Sequence, residues 1–151
     1  MSIIKENLQI ANIHLNRLKQ ASKEIESKNI LKDFDIDDFE VVKVIDTFVF
    51  RFIKLQDYLG QKLFRHFLEE IGELYENMSF IDILDKLEKL GIINSSVEWI
   101  EIRKLRNKLK HECPDELEAI KEEINVAMNK ISLLEKALQN IEDYLKNKKI
   151  L

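Results

Sequence analysis

Residues 117–145 read LEAIKEEINVAMNKISLLEKALQNIEDYL, and the apolar side chains of this segment recur with the period of one face of a helix. These apolar positions follow one another at alternating spacings of three and four residues: Leu117, Ile120, Ile124, Ala127, Ile131, Leu134, Leu138, Ile141 and Leu145. The spacing predicts an amphipathic helix, which at its usual rise per residue is about 42 Å long. An apolar stripe of that length indicates packing along other long helices in an up-and-down bundle, or against a partner chain.

Two segments nearer the N-terminus carry the same period. The first covers residues 3–27 and predicts a long amphipathic helix. The second opens at Asp37, which forms a capping-box pattern with Glu40 three residues later. Its apolar positions continue past Gly60 to about Glu76, and the glycine predicts a kink in this second long helix.

Two further helices are predicted before Pro114. Ser79 and Ser95 are each followed three residues later by an acidic residue, which is again the capping-box pattern of a helix start. The first of these helices is short, spanning residues 80–90, and Gly91 predicts a left-handed cap at its end. The second stops before Pro114, which cannot extend it and favours the first turn of the last helix.

The composition agrees with an all-α fold. The chain has 151 residues but only three glycines and one proline, too few for a turn-rich β architecture. A chain of this length buries about 70% of the surface that its unfolded form exposes, which suffices for one core. We therefore predict a single domain over residues 1–151, an up-and-down helical bundle of four long helices and one short helix.

Charge and cysteine content exclude several classes of function. The net charge is −4, so the chain lacks the overall positive field of non-specific nucleic-acid binders, and any site for a polyanion must be local. One cysteine excludes an intramolecular disulfide and zinc sites built from several cysteines. The apolar runs fall far short of the roughly 20 residues that cross a membrane, and residues 1–6 lack the features of an export signal. We expect a cytoplasmic protein with no membrane interaction.

Basic residues concentrate in the fourth predicted helix. Five of them lie within residues 101–111: Arg103, Lys104, Arg106, Lys108 and Lys110. The segment LRNKLKHECP at residues 105–114 adds an amide and an imidazole to this cluster. We therefore place the candidate site on this helix.

These residue types fit the cleavage of RNA. A guanidinium binds a phosphate through two hydrogen bonds and stabilises the charge that develops at phosphorus, while an imidazole transfers protons near neutral pH. RNA supplies its own nucleophile in the 2′-hydroxyl, so such a site needs no metal and no cofactor. The predicted catalytic residues are Arg106, Asn107 and His111, and the predicted substrate-binding residues are Arg103, Lys108 and Lys110.

The helical spacing sets a geometric condition on this site. Asn107 and His111 are separated by about 40° around a helix, but Arg106 and His111 by about 140°. Their side chains converge on one phosphate only if the helix loosens near His111 or if a second subunit completes the pocket. Cleavage also requires both a base and an acid, and a two-fold dimer would supply two imidazoles in one cleft. The competing interpretation is a solvated basic face with no catalytic role.

At these residues the chain resembles the HEPN superfamily of α-helical domains, whose motif is an arginine followed, after four to six residues, by a histidine. The segment RNKLKH at residues 106–111 matches that motif. The closest similarity is to HepT-like toxins and to proteins described as nucleotidyltransferase substrate-binding subunits. The resemblance implies a helical bundle that is dimeric through the motif helices and, in the toxin class, acts as a metal-independent endoribonuclease. It assigns catalytic roles to Arg106 and His111 and a supporting role to Asn107.

The resemblance also implies a partner. Toxins of this class pair with small nucleotidyltransferases that serve as antitoxins, and some of these attach adenylate to a tyrosine two residues beyond the motif histidine. Cys113 occupies that position in this chain. The departure puts regulation by tyrosine adenylylation in question and leaves Arg106 and His111 intact.

Two alternatives remain open from the sequence. In the first, the basic cleft holds a nucleotide or a nucleotidyltransferase without cutting RNA. In the second, the protein is structural, and the apolar stripe of residues 117–145 binds a partner.

Other polar residues have simpler interpretations. Arg51, Lys54 and Asp57 line one side of the second helix and are predicted to form a solvated stripe, with phosphate contacts or orientation of the motif histidine as the alternative. His14 is predicted to be a half-buried residue of its helix. His66 is predicted to be a packing or surface residue, with a second acid or base reaching the cleft as the alternative.

Overall fold

The computed structural model describes residues 2–32, 35, 37–111 and 117–151, and all regular secondary structure in these residues is helical. The elements in chain order are α1 (Ile3–Ser27), α2 (Phe39–Tyr58), a π-helical segment (Leu59–Leu63), α3 (Phe64–Glu70), α4 (Phe80–Lys89), α5 (Ser96–His111) and α6 (Leu117–Asn147). Because α2, the π-helical segment and α3 are consecutive, they form one continuous helical rod. The described residues thus contain four long helical stretches and one short one, which confirms the all-α prediction.

The apolar stripe of α6 is buried within the chain itself. Its members are buried at every position whose side chain is described: Ile120, Ile124, Ala127, Ile131, Leu134, Leu138, Ile141 and Leu145. The side chain of Leu117 lies outside the description. Helix α6 packs against α1, α2 and α5, and buried side chains of every helix join one hydrophobic cluster. The stripe is therefore occupied by the chain's own helices and is not available to a partner chain.

The start of α2 corrects the predicted capping box. Asp38, and not Asp37, is the N-cap residue, and its carboxylate accepts a hydrogen bond from the backbone N–H of Glu40 at 3.0 Å. The backbone N–H of Asp37 instead donates to the carboxylate of Asp35 at 2.9 Å. Several neighbouring aspartates suit a cap, so the residue type alone does not identify which one begins the helix.

The helical rod widens at Gly60, where the sequence predicts a kink. In the π-helical segment, the backbone N–H of Phe64 donates to the carbonyl of Leu59, five residues earlier. Gly60 is buried, and a Cβ at this position would lie 3.6 Å from the nearest ring carbons of Phe80, the first residue of α4. That is an ordinary contact distance, so α4 lies close to the rod at the widened turn whether or not this position carries a methyl group.

The rod ends at Glu70, well before the predicted end near Glu76. Gly72 adopts a φ of +76°, and the N–H of the following Glu73 donates to the carbonyl of Leu68 at 2.8 Å. A left-handed glycine with this hydrogen bond is a common helix terminator. The apolar pattern continues beyond Gly72, but the residues that carry it belong to the connection to α4.

The caps of α4 and the start of α5 agree with the sequence. Ser79 and Asp82 form the reciprocal capping box, and Gly91 closes α4 with a φ of +77°. The hydroxyl of Ser95 accepts hydrogen bonds from the first N–H groups of α5. The predicted break at Pro114 lies outside the described residues. None of the helices in the described part is long and apolar enough to span a membrane.

Candidate functional site

Arg106 points from α5 toward α2 and forms an ion pair there. Its Nη2 lies 2.7 Å from Oδ2 of Asp57, and its Nη1 donates to Oδ1 of the adjacent Asn107 at 3.0 Å. The side chains of Arg106 and Asp57 are only 16% and 26% exposed. The guanidinium is therefore held in one orientation by two acceptors, and the structure brings the predicted pair Arg106 and Asn107 together.

Asp57 is a functional candidate that the sequence interpretation placed wrongly. The polar stripe of α2 is not simply solvated, because Asp57 neutralises the half-buried charge of Arg106. The two residues are 49 positions apart in the chain. The available signal was indirect: an arginine next to the buried face of α5 requires a nearby carboxylate.

One N–H of Arg106 remains without a partner. The Nε atom is buried and forms no hydrogen bond with the described residues. A buried polar group of this kind carries a free-energy cost, which proteins tolerate more often at functional sites than elsewhere. The guanidinium is thus fixed through Nη1 and Nη2, while its Nε–H remains without a hydrogen bond.

His111 lies apart from Arg106 within one chain. Helix α5 is α-helical through His111, which is exposed. Up to His111, where the description of this segment stops, the helix shows no loosening, and an offset of about 140° around the axis and about 7.5 Å along it separates the two residues. Only the other condition remains, in which a second subunit brings another copy of the site.

Three predicted residues lie on the arc of α5 between Arg106 and His111. Arg103, Asn107 and Lys110 fall between these two in angle at 100° per residue, so the arc presents amide, imidazole and cationic groups together. Lys110 is exposed, whereas the guanidinium of Arg103 lies 4.6 Å from the centroid of the Phe80 ring. The predicted substrate-binding residues Arg103 and Lys110 are thus placed on the same side of the helix.

Lys108 does not belong to this arc. Its angle on α5 directs it away from Arg106, and its Nζ lies 3.8 Å from a carboxylate oxygen of Glu123 on α6. The structure therefore separates Lys108 from the other predicted binding residues.

A pocket lies beside the ion pair, between the π-helical segment, α4 and α5. It encloses about 610 Å³, including the part that is open to solvent. Its lining includes Gln56, Asp57, Gly60, Arg65, Phe80 and Arg103. Because Asp57 both lines the pocket and binds Arg106, the pocket and the candidate site are contiguous. Sequence reasoning gave no indication of the pocket, since its residues come from five separate elements: α2, the π-helical segment, α3, α4 and α5.

A second polar cluster connects α1 with the helical rod. The amide of the buried Asn7 accepts a hydrogen bond from the hydroxyl of Tyr58 at 2.7 Å and donates to Nδ1 of His66. Nearby, Arg51 donates to Nδ1 of His14 at 3.1 Å. His14 and His66 are partly buried, and each has a specific polar partner in addition to its packing contacts.

Two groups of this cluster titrate away from their ordinary ranges. Burial lowers the pKa of His14, and the cations that add to the effect are Arg51, Lys54 and Arg17. Burial also raises the pKa of the Tyr58 hydroxyl. Both shifts favour neutral side chains at the interface of α1 and α2.

No metal cluster is found in the part of the chain that the structure describes: no three His, Cys, Asp or Glu side chains there are placed to share an ion. The position of Cys113 lies outside the described residues.

Comparison with known proteins returned no match. No family model matches the chain, and no curated protein and no solved structure is significantly similar to it. Support for a function therefore comes from the residues and their geometry.

The substitution Asp57→Asn tests the ion pair. It removes the counter-charge of a half-buried guanidinium, so we expect the free energy of unfolding to fall by about 1–3 kcal/mol in urea denaturation at a fixed protein concentration. Glu135→Gln is the matched control, because it breaks an interhelical pair with Lys19 whose side chains are 48% and 43% exposed. The control should lose at most about 1 kcal/mol. Equal losses in the two variants would contradict the role given to Asp57.

The lowered pKa of His14 predicts a pH dependence of stability. Since the unfolded chain binds this proton near the ordinary value of 6.5 and the folded protein binds it only at lower pH, acidification through that value favours unfolding. The thermal unfolding midpoint should therefore decrease between about pH 7.5 and pH 5.5, and His14→Gln should weaken the decrease. His111→Gln, at an exposed position, should leave it unchanged. A pH profile in His14→Gln that coincides with wild type would refute this assignment.

Proposed function

We propose that the protein is a metal-independent endoribonuclease of the HEPN type, which cleaves RNA in a cleft shared by two copies of the chain. The observation that carries the proposal is the fixed guanidinium of Arg106, held by Asp57 and Asn107 at 2.7 and 3.0 Å at the edge of the arc that ends at His111. A positioned guanidinium and an accessible imidazole are the two groups that this reaction requires.

The reaction uses the RNA itself as the nucleophile. One imidazole accepts the proton of the 2′-hydroxyl as its oxygen attacks phosphorus, and a second imidazole, in its protonated form, donates a proton to the departing 5′-oxygen. The products are a 2′,3′-cyclic phosphate and a 5′-hydroxyl. Arg106 stabilises the additional negative charge on the phosphoryl oxygens as phosphorus becomes five-coordinate.

Two copies of the chain are required by the position of His111. Each chain offers one imidazole on this face of α5, and it lies about 140° from the guanidinium of the same chain. A two-fold arrangement with the α5 helices side by side places the arginine of each chain near the histidine of the other. It also supplies the separate base and acid that the reaction needs.

The wider biological setting rests on the sequence resemblance. It supports an up-and-down bundle of the HEPN kind, a cytoplasmic location where RNA substrates occur, and a role as the toxin of a toxin–antitoxin pair. The partner would be a small nucleotidyltransferase acting as antitoxin. Cys113 stands where a target tyrosine would be, so this partner would inhibit by binding and not by adenylylation of that residue.

A second function is favoured by the burial of Arg106. Because its side chain is 16% exposed and already paired with Asp57, the guanidinium has limited freedom to follow a reacting phosphate. A module that binds a nucleotide or a nucleotidyltransferase without cleavage does not require the Arg106 guanidinium to move with a reacting phosphate. Binding without cleavage would replace the first proposal with this one.

An RNA cleavage assay in the presence of a chelator tests the proposed activity. Wild type should cut RNA and leave 2′,3′-cyclic phosphate ends, and His111→Ala should lower the rate at least about 100-fold through loss of proton transfer. Asn129→Ala, at an exposed position on α6, is the control and should match wild type. Helical content should be retained in both variants. Activity that stops in chelator, or that survives in His111→Ala, would disprove the mechanism.

A further inference from the structure

Gln56 is a largely buried polar residue on the wall of this pocket. It is 3% exposed and lines the pocket beside Asp57. Unlike Nε of Arg106, its amide atoms are not sealed from solvent, and no side chain of the described residues forms a hydrogen bond with them. The amide is therefore open to the pocket, where a ligand would replace water as its partner.

The opposite side of the pocket offers a flat surface. The guanidinium of Arg103 lies over the ring of Phe80, 4.6 Å from its centroid. Aromatic rings and guanidinium planes are the surfaces on which nucleobases stack in single-stranded RNA complexes. A ligand with an extended π-system therefore suits this side of the pocket better than a bare phosphate does.

Gly60 keeps the space between these groups open. A Cβ at this position would lie 3.6 Å from Phe80 and 3.8 Å from Nε2 of Gln56. A methyl group at this position would therefore fit at ordinary contact distance and would occupy part of the space between the ring and the amide. The part of the pocket that water can enter is about 260 Å³, slightly below the usual lower limit of small-molecule sites.

We propose that this pocket binds a nucleobase, with the amide of Gln56 pairing with the base edge while the Phe80 and Arg103 surfaces contact its face. A glutamine amide carries one acceptor and two donors, which complement an adjacent donor and acceptor on a base. The proposal rests on the proposed function, since Asp57 links the pocket to the phosphate-binding Arg106. The base belongs to a nucleotide next to the cleaved phosphate.

The charges of the pocket agree with a nucleotide. Arg103 and the exposed Arg65 are cations on its lining, while the carboxylate of Asp57 is neutralised by Arg106. The pocket is therefore positive at its rim and holds an uncharged amide and an aromatic ring within. This arrangement of charge suits a nucleotide whose neutral base lies in the pocket and whose phosphate lies near the cations at the rim.

Titration with small nucleotides tests the pocket without requiring cleavage. Wild-type protein is titrated calorimetrically with AMP, GMP, CMP and UMP, and with ribose 5-phosphate, which has the phosphate but no base. We expect at least one nucleotide to bind about 10-fold more tightly than ribose 5-phosphate. Equal binding of all five compounds, or binding of none of them, would overturn the proposal.

Two variants assign the binding to the pocket. Gln56→Leu should reduce nucleotide affinity about 10-fold and leave the thermal midpoint unchanged, because the amide forms no hydrogen bond with other side chains of the described residues. Gly60→Ala should also weaken binding, since its methyl group enters the space for the base. Gln139→Leu, on the exposed surface of α6, is the control and should bind as wild type does. Wild-type affinity in Gln56→Leu, or a lowered midpoint, would show that Gln56 has a structural role.

The His111→Ala variant separates this inference from the proposed function. It should bind the nucleotide with wild-type affinity, because the exposed imidazole does not line the pocket. Base-dependent binding without RNA cleavage would retain the pocket and reject the nuclease. Cleavage without base-dependent binding would retain the nuclease and reject the nucleobase pocket.

Discussion

The ion pair between Arg106 and Asp57 connects the basic helix α5 to the rod that includes α2. It joins two half-buried charges at 2.7 Å, and it determines which way the arginine of the proposed site faces. Without it, Arg106 would extend into solvent like the lysines around it. Because Asp57 also lines the pocket beside α4, a single carboxylate fixes the guanidinium and closes one wall of the space next to it. In the proposed complex, the phosphate at Arg106 and the base in the pocket would lie on opposite sides of Asp57.

The π-helical segment explains why such a pocket exists in a helical bundle. Regular helices pack with few gaps, and a turn with an additional residue changes the register of the rod just after Gln56 and Asp57. Gly60 keeps the widened turn free of a side chain, while Phe80 begins α4 directly opposite. A cost is visible nearby in Nε of Arg106, which is buried without a hydrogen-bond partner in the described residues. Such local departures from good packing and full hydrogen bonding are common where proteins bind ligands.

The features that could be predicted from the sequence are those set by residues close together in the chain. The stripe of α6, the capping box at Ser79 and the left-handed Gly91 follow from local spacing and from the conformations that each residue type permits. The end of the rod was misplaced because the apolar pattern passes through Gly72, and periodicity does not reveal which glycine adopts a positive φ. The contact of Asp57 with Arg106 and the position of Gln56 on the pocket wall depend on residues distant in the chain, which a single sequence does not specify. Arg106 and His111 both lie on α5, and their side chains diverge within one chain because the helix is regular through His111. That they act together stays a prediction.

The need for two imidazoles in one shared cleft is tested most directly by mixing subunits. Wild-type and His111→Ala chains are unfolded, combined in equal amounts and refolded together, and RNA cleavage is compared with the same total amount of wild type. Random association makes about a quarter of the dimers wild type on both sides, so a cleft that needs both imidazoles predicts about one quarter of the activity. About half of the activity would mean that one imidazole suffices for each active site, which would contradict a cleft that uses one histidine as base and the other as acid.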